Sequence, residues 1–404
     1  MSNIKFIFIN PSFVFGFFLL ISLSSTFLQW SDLFGIPSDE TITIYVTSSL
    51  VLVVLSLFFH YKLTKNKIFT SGALLYSFQK SKNDKIYFIS LVLFFYLEVL
   101  YSGFIPILLG VYSDVLELSF GLPILHGLFL SFLSYISVVY FQKYLVTRKK
   151  EYIFYILVIN AMFILLGRRG IIVFNMFSYM FLYLYYYFAY KQINFKLILN
   201  FLLLIVTFFY IFNYIGNLRL GKSSDEYILS VGQASNKFVN SNIPSSAFFT
   251  YLYVSSPVSI FDINNYSYNT SYREFIMANI LPDFITKRLG YKEKLKVNDI
   301  NGFTVGGIFA KPYMYKGITG IVIIMIYYLL LYFLVMYIVL KNRKRSIVLL
   351  SMFLSMSVLL TFQNLLNYSG YILQIYFAIL FKDLLLFKYG KNTILPIRRL
   401  NEKD

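Results

Sequence analysis

Residues 152–190 read YIFYILVINAMFILLGRRGIIVFNMFSYMFLYLYYYFAY, and the way this run divides decides the fold. As one helix it would be about 58 Å long at 1.5 Å per residue, nearly twice the ~30 Å hydrocarbon core of a bilayer. It must therefore turn. The only break is Gly167-Arg168-Arg169-Gly170, where the glycines permit a tight reversal and the arginines resist burial in lipid. The expectation is a hairpin of two spans, Tyr152–Leu166 and Ile171–Tyr190, with Arg168 and Arg169 at a membrane surface.

The rest of the chain has the same character. It is 58% hydrophobic and only 13% charged, with a mean hydropathy of +0.68, for which a bilayer is the natural solvent. Eight further apolar stretches can span: Phe6–Leu28, Ile42–Phe59, Ile86–Leu109, Leu122–Phe141, Leu197–Gly216, Gly317–Leu340, Ser346–Phe362 and Gly370–Phe387. The first follows Lys5 but has no Ala-x-Ala-like cleavage site, so it reads as a retained span. The fold class expected is all-α, a polytopic membrane protein of about ten transmembrane helices with a large helical periplasmic loop. Three regions follow: 1–216 with seven helices, 217–316 as the extracytoplasmic loop, and 317–404 with three helices and a tail.

Orientation follows from the short connections. Lysine and arginine crowd His60–Lys85, Lys143–Lys150, Lys191–Lys196, Lys341–Arg345 and the tail with Arg398 and Arg399, which makes that side cytoplasmic. The opposite short loops, Gln29–Thr41 and Gly110–Gly121, hold Asp32, Asp39, Glu40, Asp114 and Glu117 and no lysine or arginine. Both termini then face the cytoplasm of a bacterial inner membrane. The long loop is basic too, but segments beyond about 60 residues cross largely regardless of charge. Within it Ala247–Phe261 and Phe275–Ile285 are apolar yet too short to span, and read as interfacial or re-entrant helices.

A net charge of +18 would suggest nucleic acid in a soluble protein; here it reflects cytoplasmic loops and anionic lipid, and no nucleic-acid partner is expected. The absence of cysteine excludes disulfides and thiolate chemistry, and GxxxxGK, HExxH and GxSxG are missing. Five arginines fall at or near the outer interface: Arg168, Arg169, Arg219, Arg273 and Arg288. A guanidinium is permanently charged and its planar fork suits bidentate phosphate contacts, so the set fits a lipid diphosphate. The plainer role is snorkelling to lipid or pairing with Asp225, Glu226, Glu274 and Asp283.

Candidate bases are Asp225, Glu226, Asp262, Glu274, Asp283, Glu293 and Asp299, among which Asp262 closes an apolar stretch and Glu274 follows Arg273. No DxD pair or histidine cluster offers a divalent-metal site, so no metal or cofactor is expected. His60 falls on the cytoplasmic side and His126 within the fourth span, neither placed for outer-face chemistry. Glu98 and the Lys382-Asp383 pair are intramembrane charges and functional suspects.

The layout resembles the bacterial oligosaccharide repeat-unit polymerases, the Wzy-type O-antigen polymerase family of GT-C-like membrane glycosyltransferases. The resemblance covers most of the chain and rests on LLGRRGIIVF at Leu165–Phe174, YIGNLRLGKS at Tyr214–Ser223, and NGFTVGGIFAKPYMYKGITG at Asn301–Gly320, where Lys316-Gly317 replaces an acidic approach to the next span. It implies a metal-independent polymerase of undecaprenyl-diphosphate-linked units, with membrane lipids and a chain-length regulator as further partners. In that reading Arg168, Arg169 and Arg219 stabilise the departing diphosphate, Asp262 or Glu274 deprotonates the acceptor, and Arg273 and Arg288 bind substrate. The related O-antigen ligase works with an outer-loop histidine that this loop lacks. A lipid-linked oligosaccharide flippase would have about twelve spans and no such loop.

Overall fold

The computed structural model describes residues 4–65, 83–109, 120–122, 125–190, 225–300, 303, 305–341 and 347–380. These are helical, with no β-strand among them. Helices are α1 Pro11–Thr26, α2 Asp39–Lys65, α3 Asn83–Ser102, α4 Leu125–Thr147, α5 Lys150–Leu165, α6 Arg169–Tyr190, α7 Asp225–Val231, α8 Asn236–Val239, α9 Ser245–Ile263, α10 Tyr272–Asn279, α11 Asp283–Arg288, α12 Ala310–Lys341, α13 Ile347–Leu359 and α14 Ser369–Leu380. Five contain segments long and apolar enough to cross a membrane: Asp39–His60, Asp84–Ser102, Leu125–Thr147, Gly170–Phe188 and Ala310–Lys341; α1, α13 and α14 are shorter apolar helices. The expected span at Leu197–Gly216 and the Lys382-Asp383 pair lie outside the described residues.

The exposed faces fit a membrane protein. On α12, Ile318, Val322, Ile326, Leu330 and Leu334 recur every fourth residue and are all exposed, and α2 and α3 show similar faces with Leu50, Val54 and Phe58, and Ile89, Leu93 and Leu97. Exposed apolar stripes of this length suit lipid, not water.

The expected break at Gly167 is present. α5 ends at Leu165, Gly167 adopts a left-handed φ of 69°, its N–H bonds the Ile164 carbonyl at 2.9 Å, and the Arg168 N–H bonds the Phe163 carbonyl at 3.0 Å. These paired bonds form a Schellman stop, which glycine permits because it has no Cβ to strain. The Arg168 carbonyl then accepts from the Ile171 N–H at 3.2 Å, starting α6.

Contacts divide the chain into two units. The first is drawn from Met1–Lys62, Lys191–Phe333 and Met356–Ser369, the second from Leu63–Tyr190, Leu334–Ser355 and Gly370–Asp404, so the first draws on all three sequence regions and the second on the first and third. In the first unit α1 and α2 run antiparallel, stitched by Ser12 Oγ to the Leu52 carbonyl at 2.8 Å and Ser49 Oγ to the Gly16 carbonyl at 2.7 Å. α9 crosses the end where α1 stops and α2 starts, through Ser22 Oγ to the Val254 carbonyl at 2.6 Å and Tyr45 to the Pro257 carbonyl at 3.3 Å. It is four residues longer than the apolar stretch Ala247–Phe261, whose helical character it bears out. Phe275–Ile285 is instead broken into α10 and α11 around Pro282, which has no N–H to continue a helix.

α12 breaks at Gly317, where φ is 58° and ψ is −144°. The break frees the Met314 and Tyr315 carbonyls, which accept the Tyr268 and Thr270 N–H groups at 2.9 and 3.0 Å and so tie the loop to the start of the long apolar segment. A Cβ at Gly317 would meet only Ser267, at 3.6 Å, so space is not the constraint. Gly317→Ala is expected to cost about 1–3 kcal/mol through backbone strain alone. Thermal unfolding in detergent checks this, and an unchanged midpoint would show that the break relaxes without cost.

Candidate functional site

The second unit has one end where several helix termini meet. α3 and α4 are antiparallel, since Phe94 packs on Phe129 with ring centroids 4.7 Å apart and Asp84 reaches Lys143 further along. α4 and α6 are parallel: Ser134 bonds Asn175 and, one turn on, Ser137 bonds Tyr179. α14 is parallel to α4 as well, with Ser131 Oγ on the Gly370 carbonyl at 3.4 Å and Ser134 Oγ on Gln374 Oε1 at 2.7 Å. The register brings the end of α3, the start of α4, the α5–α6 turn and the start of α14 to one end.

A buried ionisable pair sits there. Glu98 and His126 meet with both carboxylate oxygens 3.0 and 3.1 Å from Nδ1; the Glu98 side chain is 0% exposed and that of His126 12%. The Phe120 ring stands edge-on to the imidazole at 5.4 Å, and Gly121, whose N–H bonds Ser102 Oγ at 2.7 Å, lies under it so closely that a Cβ would come within 2.6 Å. His126 is thus in the first turn of α4, which begins three residues later than the apolar run Leu122–Phe141 in which the sequence places it. The tyrosine hydroxyl of Tyr371 occupies the place a Cβ on Gly170 would need, bringing α14 against the α5–α6 turn.

The opposite end of this unit holds Asp84, Lys143 and Tyr152, and between the two ends runs a polar column of Ser131, Ser134, Asn175, Gln374, Ser178 and Ser355, all buried. Such groups hold helices together where lipid gives no hydrophobic drive between them.

Of the residues expected at a site, Arg168 is half-buried in the turn and Arg169 opens α6, both in the second unit. Arg219 lies outside the described residues. Asp262, Arg273, Glu274 and Arg288 belong to the first unit. Asp262 Oδ1 accepts from the Ser38 N–H at 2.9 Å, Ser38 Oγ at 2.5 Å and Thr41 Oγ1 at 2.6 Å, so its carboxylate caps α2. Glu274 lies in the first turn of α10 and pairs with Lys294 at 2.5 Å; the hydrogen bond from that ammonium holds its carboxyl below the usual carboxylate range and raises Lys294. Arg273 precedes it, exposed, and Arg288 closes α11, also exposed. Asp283, another candidate acid, accepts the Ser369 N–H at 2.8 Å within the first unit. Among the described residues no three histidine, aspartate or glutamate side chains gather as a metal site requires. No protein-family model, curated protein or solved structure matches this chain.

Proposed function

We propose that the chain is a membrane glycosyltransferase that joins undecaprenyl-diphosphate-linked oligosaccharide repeat units into a surface polysaccharide, O-antigen or capsule, at the periplasmic face of a bacterial inner membrane. The carrying observation is the α5–α6 turn, which places Arg168 and Arg169 in succession where α5 stops and α6 begins. In this reading about ten spans put both termini in the cytoplasm and residues 217–316 outside. A cationic fork at head-group depth is suited to neutralise the charge that gathers on a departing lipid diphosphate. The partners are the lipid-linked units, surrounding lipid and a chain-length regulator.

The rival readings are an O-antigen ligase and a lipid-linked oligosaccharide flippase. Deleting the chain separates them. A polymerase leaves single repeat units on the outer face while long glycan disappears. Units retained on the inner face would identify a flippase, and long glycan left on its lipid carrier would identify a ligase.

A further inference from the structure

We infer that His126, held by Glu98, takes the proton from the acceptor hydroxyl, an assignment that rests on the polymerase reading. A buried carboxylate with both oxygens at Nδ1 fixes the proton there, so Nε2 carries the lone pair. Nε2 has no hydrogen-bond partner among the described residues. The ring cannot turn freely, being set between Phe120 and the backbone of Gly121.

The carboxylates first expected to act as base are occupied otherwise. Asp262 is engaged by three donors at the start of α2, and Glu274 is held ionised by Lys294. The parallel register of α4 and α6 instead sets His126 at the level of Arg168, so base and cation share one helix end.

The step balances with the two lipid-linked units alone. The acceptor oxygen forms a bond to the anomeric carbon and gives its proton to Nε2. The bond from that carbon to the diphosphate breaks, and its electron pair leaves with undecaprenyl diphosphate. Glu98 touches no substrate; it is a positioning residue whose charge stabilises the imidazolium.

The test uses membrane vesicles of the deletion strain, carrying the single lipid-linked units accumulated there, with the full chain restored and ladder growth followed against the concentration of lipid-linked unit. His126→Gln is expected to slow elongation about 10²- to 10⁴-fold at unchanged membrane abundance. Glu98→Gln is expected to lower kcat for elongation at unchanged KM for the lipid-linked unit and unchanged membrane abundance, because the carboxylate no longer orients the imidazole while no substrate contact is removed. A structural pair would lower abundance without changing kcat per molecule, so a wild-type kcat in Glu98→Gln overturns the assignment even where His126→Gln fails to accumulate. Elongation by His126→Gln at the wild-type rate overturns it while leaving the polymerase reading intact. Wild-type vesicles that extend nothing overturn both.

Discussion

Asp84→Ala is expected to destabilise the second unit by about 3–5 kcal/mol, because it strands a buried cation. Lys143 Nζ lies 2.6 Å from Asp84 Oδ1, and both side chains are 1% exposed. Tyr152 donates to the other oxygen at 2.9 Å, while Tyr140 bonds the Asp84 carbonyl at 3.0 Å. This triad ties the start of α3 to α4 and α5, where apolar packing alone gives little specificity in lipid. An exposed pair behaves differently: Lys287, 69% exposed beside Asp283, should matter by no more than about 1 kcal/mol when changed to alanine. Replacing both Asp84 and Lys143 by leucine and methionine should regain most of the loss, since the desolvation penalty disappears with the charges. Unfolding in detergent micelles measures all three. If Asp84→Ala unfolds like wild type, Lys143 has snorkelled to water and the triad is dispensable.

The helical membrane character and the break at Gly167 were legible because both follow from length and burial. An apolar run longer than a bilayer must turn, and only one tetrapeptide could turn it. Helix starts were less legible. The apolar run containing His126 begins before its helix does, since hydropathy marks what lipid accepts and not where backbone hydrogen bonds begin. The Glu98–His126 and Asp84–Lys143 pairs carried a usable signal nonetheless. In an antiparallel hairpin, residues equidistant from the connection face each other, and both pairs flank the 103–124 connection in nearly one register. Asp262 shows the limit. Its capping of α2 joins residues more than 200 positions apart, a contact no local pattern reveals.

Arg168→Lys separates the diphosphate role from snorkelling, because it keeps the charge and changes only the shape of the donor. The turn itself should survive. Its two closing bonds use the backbone N–H groups of Gly167 and Arg168, so the side chain at 168 is not what stops α5. If the guanidinium grips a diphosphate with two parallel N–H groups, an ammonium cannot reproduce that fork, and polymerisation should fall by about 3 kcal/mol in barrier, roughly a hundredfold. Arg168→Ala should be no less defective. Arg169→Lys and Arg219→Lys, assayed alongside for glycan length at equal membrane abundance, show whether the grip is shared. Should Arg168→Lys support full-length glycan, lysine is snorkelling there as well as arginine did, and the diphosphate must be held by Arg169 and Arg219 without it.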